Sequence, residues 1–126
     1  MPIATKRIYQ AVSKQDGTRI LLDRIWPRGI KKADAQIDLW PKDLTPSTEL
    51  RKWFHEDTER HWPEFQQRYR QEFQQRYRQE LQQHLDAVEE IRQLAQKGPI
   101  TLLTAAENEQ HNHLQVFKQL LEHPGK

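Results

Sequence analysis

Residues 64–71 read EFQQRYRQ, and residues 72–79 read EFQQRYRQ again. Solenoid repeats have periods of roughly 20–50 residues, so an eight-residue unit is too short to stack as one. The segment reads as an octapeptide duplicated inside a helix. Its Gln, Glu and Arg are good helix formers, and Phe65, Tyr69, Phe73, Tyr77, Leu81 and Leu85 recur every four residues. Eight residues at about 100° each turn a helix by two turns plus about 80° and lengthen it by about 12 Å. A chain with this repeat can loop the extra octapeptide out, which strands Phe and Tyr in solvent, or carry it in one unusually long helix. The aromatic stripe favours the continuous helix, from about residue 63 to residue 96, because such a stripe can pack on a partner helix. A stripe stepping by four drifts about 40° per step and cannot follow one flat core for long. A homodimer through the duplicated helix, with the following segment exchanged between two chains, is therefore expected.

At 126 residues the chain has room for one domain, residues 1–126. No run approaches the ~18 apolar residues of a membrane span. Lys6 and Arg7 are followed by no apolar stretch of the kind a secretory signal needs. With 0 Cys there is no disulfide, no thiolate nucleophile and no Cys-based zinc site. These absences point to a reduced, cytoplasmic domain with no membrane partner. The net charge is +2. Residues 1–43 carry 9 basic and 5 acidic side chains, and residues 44–126 carry 11 and 13. An excess spread so thinly is not the basic face of a nucleic-acid binder, but it leaves room for a local anion site in the first third.

Residues 7–12 (RIYQAV) and 19–25 (RILLDRI) have strand composition, with a turn signal at residues 14–17 between them. A hairpin is one solution. A direct parallel crossover needs a longer gap, and the two strands can also be neighbours of different strands. Adjacent Leu21 and Leu22 indicate a strand covered on both faces. Pro27 and Gly29 end it, the first lacking an N–H and the second tolerating positive φ. A short helix is expected near residues 31–35. Thr45 or Ser47 caps the next helix, whose apolar face is Leu50, Trp53 and Phe54. Gly98 and Pro99 stop the long helix, residues 100–104 (ITLLT) form a strand, and a last helix covers about 108–122. The fold class is α/β: a small, mainly parallel or mixed sheet with flanking helices. In such folds ligands sit at the C-terminal ends of strands, which here carry Asp23, Arg24 and residues 105–112.

The segments KRIYQ (6–10), RILLDRIWPRGI (19–30), TPSTELRKWF (45–54) and PITLLTAAENEQHN (99–112), together with WPEFQQRYRQEL, resemble the YeaO-like family of small bacterial proteins, domains of unknown function. The resemblance runs along nearly the whole chain and implies a single cytoplasmic α/β domain. The family pattern has one copy of the RYRQE-type segment, so eight residues are surplus here. It often has Tyr-Ala-Ala after the third strand and an Asp shortly beyond, where this chain has Thr104-Ala105-Ala106 and Asn108; His111-Asn112 matches.

The candidate site combines Asp23, Arg24, Arg28, His111 and Asn112. Two arginines spaced across a Pro-Gly break can direct their guanidinium forks at one carboxylate or phosphate. Asp23 would orient them or, in a purely structural role, pair with Arg24 or Arg28 and brace the loop. His111 is the candidate acid–base group, and Asn112 adds an amide before a helix N-terminus, a place that favours anions. Capping by Asn108 is the structural alternative. His111 and His113 are two apart and fall on different helix faces, so no metal site and no cofactor is expected. Ser13 and Ser47 lie in no G-x-S-x-G context, and neither a P-loop nor a G-x-G-x-x-G fingerprint is present. The four tryptophans (26, 40, 53 and 62) are expected in the core and the pocket walls. Two functions follow as expectations: a pocket for an anionic small molecule, or a regulatory module that binds protein or nucleic acid without chemistry.

Overall fold

The computed structural model describes residues 3–56, 63–106 and 113–123. Three strands, β1 (Ile3–Arg7), β2 (Thr18–Leu21) and β3 (Ile100–Thr104), form one sheet in the order β1-β3-β2. Both pairings are parallel, with Ile3 and Thr18 each opposite Ile100. Residues 37–40 extend the outer edge, where Leu21 N–H donates to the Leu39 carbonyl at 3.0 Å and Ile20 bridges Leu39 in parallel.

The first two strands do not form the hairpin that was one option; they run parallel, with β3 between them, which corrects the expectation that so short a gap excludes a parallel crossing. Residues 8–17 cross the sheet with no more than one 3₁₀ turn, Lys14–Asp16, capped by Ser13. Because β3 lies beneath, the crossing segment can be fastened to all three strands. Asp16 accepts from Lys6 Nζ of β1 at 3.0 Å and from Arg19 Nη1 of β2 at 2.6 Å, while its carbonyl accepts from Thr101 Oγ1 of β3 at 2.8 Å. Gly17, at φ +64°, then passes so close to β3 that an added Cβ would lie 2.0 Å from the Pro99 carbonyl oxygen.

The strand sides divide the core in two. Ile3, Ile20, Leu22, Ile100 and Leu102 face the main core, which is completed by the longer helices. These are α2 (Thr48–Glu56), α3 (Pro63–Leu81), α4 (Leu85–Lys97) and α5 (His113–Glu122). Ile8, Leu21 and Leu103 point the other way and are covered by Trp26, Ile30, Ile37, Trp40 and Ala35 of a short helix, α1 (Lys32–Ala35). Leu21 and Leu22 are both fully buried, which explains the uninterrupted Leu-Leu run.

The duplicated octapeptide lies wholly within α3, so the helix is continuous across it. A 3₁₀ turn at Gln82–His84, just after the repeat, links α3 to α4. Tyr69, Phe73, Tyr77 and Leu81 are all buried within this one chain. The drift of a four-step stripe is accommodated by a change of neighbour along the helix. Tyr69 meets Trp53 at 5.9 Å and Phe73 meets Phe54 at 5.1 Å, both on α2. Further on, Tyr77 has turned to His113 of α5 at 5.8 Å, and its hydroxyl donates to the Leu44 carbonyl at 2.6 Å. Beyond the 3₁₀ turn the buried positions are Val88, Ile91 and Ala95, which follow ordinary helical spacing.

Of the four tryptophans, Trp26 and Trp40 pack on the second core and Trp53 on the main one. Trp62 lies outside the described residues.

Candidate functional site

Where β2 ends, the chain turns out through residues 22–30, and two indole N–H groups pin this loop. Trp40 Nε1 donates to the Asp23 carbonyl at 2.6 Å, and Trp26 Nε1 donates to the Ile30 carbonyl at 2.7 Å. The rings meet edge-to-face at 5.3 Å. Gly29 takes φ +80°, the left-handed conformation for which the Pro-Arg-Gly break provides. A cleft of about 380 Å³ opens beside this loop, at the C-terminal ends of β2 and β3.

Asp23, Arg24 and Arg28 all line the cleft, and so do Ala105, Ala106 and His113 from the end of β3 and the start of α5. The loop after β2 thus meets the end of β3 and the start of α5 at one end of the sheet, while residues 107–112, the segment expected beside the arginines, lie outside the described residues. His111 and Asn112 fall outside the described residues.

Asp23 has a different task from bracing the arginines. Its Oδ1 accepts from Thr104 Oγ1 at 2.6 Å, its Oδ2 accepts from the Ala105 N–H at 2.7 Å, and His113 Nε2 stands 3.5 Å from Oδ1. It ties β2 to β3 and α5. Burial alone would favour its neutral form, but the contact and charge of His113, the Ala105 N–H and the Thr104 hydroxyl outweigh that and hold its carboxyl below the ordinary carboxylate value. His113 is buried, and its Nε2 lies 2.9 Å from the Leu22 carbonyl. A carbonyl can only accept, so Nε2 carries a proton. Beneath it, burial and then the charges of Glu80 and Asp23 push the Tyr77 phenol well above its usual value, which keeps it a donor.

The arginines are placed differently. Arg24 is half-buried, and its Nε donates to the Pro46 carbonyl at 3.3 Å. Arg28 is exposed, while its carbonyl accepts from the Tyr9 hydroxyl at 3.2 Å. A third arginine, Arg51, reaches the same cleft from α2, with His55 one turn further on. Ser47 caps that helix: its Oγ accepts from the Leu50 N–H at 3.0 Å and donates to Glu80 of α3. Among the described residues, none of the three arginines forms an ion pair with a carboxylate. Sequence reasoning missed Arg51, His55 and His113. Arg51 and His55 follow the buried Leu50 and Phe54 by one position, so they flank the apolar face of α2; that offset was the available signal.

The remaining wall is apolar: Leu22, Ile25, Trp26, Pro27, Pro46 and Phe73. No group of three or more metal-ligating side chains occurs among the described residues. No described helix is long and apolar enough to cross a membrane.

A family model described as "Inactive DUF488-N3 subclade" matches residues 2–125. The chain is 42% identical to "Uncharacterized protein YeaO" of Escherichia coli (strain K12), an alignment spanning 96% of this chain and 97% of that protein. It is 38% identical to "Uncharacterized protein Rv3073c" of Mycobacterium tuberculosis (strain ATCC 25618 / H37Rv), over 94% of this chain and 92% of the relative. The same figures hold for "Uncharacterized protein Mb3100c" of Mycobacterium bovis. No solved structure matches.

Proposed function

Because the chain belongs to the inactive DUF488-N3 subclade, the family of its YeaO-like relatives, we propose that it is a non-catalytic domain that binds an anionic small molecule at the C-terminal ends of β2 and β3. The observation that carries this reading is the convergence of Arg24, Arg28 and Arg51 on one cleft whose lining carboxylate, Asp23, is already hydrogen-bonded through both oxygens. Guanidinium groups in a partly desolvated concave site attract an anion far more strongly than the same groups scattered on a convex surface. The concave placement also favours a small molecule over nucleic acid laid along a basic stripe. Binding without turnover is supported by the family's description and by the lining itself. Asp23 is engaged by β3, and His113 Nε2 by the Leu22 carbonyl, so neither is set up as a base or nucleophile.

Thermal shift with inorganic phosphate, phenyl phosphate and benzoate tests the reading, on the native chain and on Arg28→Ala. A bound anion at about 100 times its Kd stabilises by about 2.7 kcal/mol. The native chain is expected to gain melting temperature with at least one of the three. Arg28→Ala should melt as the native chain does without ligand and lose the gain. No gain with any anion, or a full gain in Arg28→Ala, overturns the reading.

A further inference from the structure

The cleft is much larger than an inorganic anion requires, and most of its wall is apolar. A five-atom oxyanion fills roughly the space of two or three waters, at about 30 Å³ each. The cleft measures about 380 Å³, in the range of ~300–1,000 Å³ that holds an organic ligand. Ile25 stands on the cleft wall at 64% exposure, the highest of any large apolar side chain described, although the neighbouring Leu22 is fully buried. Trp26 and Pro27 continue the apolar surface from Ile25, and Phe73 and Pro46 complete it from α3 and from the chain just before α2.

The same cleft also carries cations. Arg24 and Arg28 come from the loop after β2, and Arg51 comes from α2. A carboxylate presents two oxygens in a plane and is satisfied by one guanidinium fork. A phosphate monoester presents three oxygens in three directions and carries about −1.5 to −2 charges at neutral pH. Three arginines from two separate elements line this cleft, none paired with a carboxylate among the described residues, and they match the charge of the second and can donate to it from more than one side. Resting on the anion-binding reading above, we propose that the ligand is a phosphate monoester with an apolar or aromatic body. Its phosphate lies among Arg24, Arg28 and Arg51, and its body covers Ile25 and the Trp26-Pro27 wall.

Calorimetric titration with phenyl phosphate, inorganic phosphate and benzoate separates this proposal from the broader one. Phenyl phosphate is expected to bind at least tenfold more tightly than either of the others. Ile25→Ser, a change at an exposed position, should weaken phenyl phosphate at least threefold and leave inorganic phosphate unchanged. Arg51→Ala should weaken both phosphates, with unchanged helical circular dichroism showing that α2 is intact. Equal affinity for the two phosphates removes the organic body from the proposal. Benzoate binding as tightly as phenyl phosphate removes the phosphate. In both cases the anion-binding reading stands. Failure of all three probes to bind overturns that reading together with this one.

Discussion

Asp23, which the sequence offers as the orienter of two arginines or as a brace for their loop, serves in the fold as a clamp on the end of β3. Its two oxygens join β2 to Thr104, Ala105 and His113, and the partners that depress its pKa exist only in the folded state. A group whose folded pKa lies below its unfolded value, near 3.8, contributes stability above that value. The contribution fades as pH falls through the lower, folded pKa. The native chain should therefore lose melting temperature steeply below about pH 4, and Asp23→Asn should be less stable at neutral pH by about 1–3 kcal/mol with a shallower acid limb. A pH series of thermal melts on both proteins measures this; parallel curves would rule out a charged clamp. The neighbouring positions divide in the opposite sense. Leu22 is fully buried and Leu22→Ala should cost about 2–5 kcal/mol, whereas Arg28 is exposed and Arg28→Ala should change stability by less than about 0.5 kcal/mol. Urea denaturation of the two variants reports the contrast.

Among the elements, α2 and α3 depend on each other. Ser47 satisfies a free N–H at the start of α2 and is itself held by Glu80, whose Oε1 accepts from the Ser47 N–H at 3.0 Å. Ser47→Ala should therefore cost about 0.5–2 kcal/mol, as cap losses do. Because Arg51 rides on the first turns of that helix, the variant should also weaken phosphate binding. A melt and a titration on the same sample check both; a stability loss with unchanged affinity would separate the helix start from the cleft. The long helix carries its aromatic stripe past two successive neighbours, first α2 and then α5, which is how a surface that rotates about 40° per step stays covered. The adjoining 3₁₀ turn ends the four-residue rhythm, and α4 returns to normal helical spacing.

For the molecule as a whole, the order β1-β3-β2 makes the two N-terminal strands dependent on a third that arrives some eighty residues later. Gly17 is the tightest point of that arrangement. Its φ of +64° and its approach to Pro99 leave no room for a methyl group, so Gly17→Ala should destabilise the whole sheet by more than about 1 kcal/mol. Native-state hydrogen exchange at Thr18 and Ile100 is the direct check, because loss confined to the surface would leave those amides protected. The duplicated segment bears on the same scale. The stripe from Tyr69 to Leu81 is buried within one chain, while Leu85 is exposed, and an exchange of the segment after the stripe between two chains would preserve the same buried contacts. The proposed swapped homodimer is thus decided by mass alone: light scattering should give twice the chain mass for the full sequence and one chain mass for a form lacking residues 72–79.

Local chemistry was enough to read the continuous helix through the repeat, the double burial of Leu21-Leu22, the strand at residues 100–104 and the sharp turn at Gly29. Each depends on periodicity or backbone preference within a few residues. The meeting of the Asp23–Arg28 loop with the end of β3 was also legible, because parallel strands bring their C-terminal ends to one side. Sequence alone left open whether β1 and β2 pair, and the short gap argued against parallel strands; the crossing becomes intelligible only once Asp16 is seen fastened to Lys6, Arg19 and Thr101. Nor could it bring Arg51, His55 and His113 to the cleft or give the Asp23 carboxylate to Thr104, Ala105 and His113. Those contacts join residues far apart in the chain, and only the packing of α2, α3 and α5 on one face of the sheet decides which of them meet.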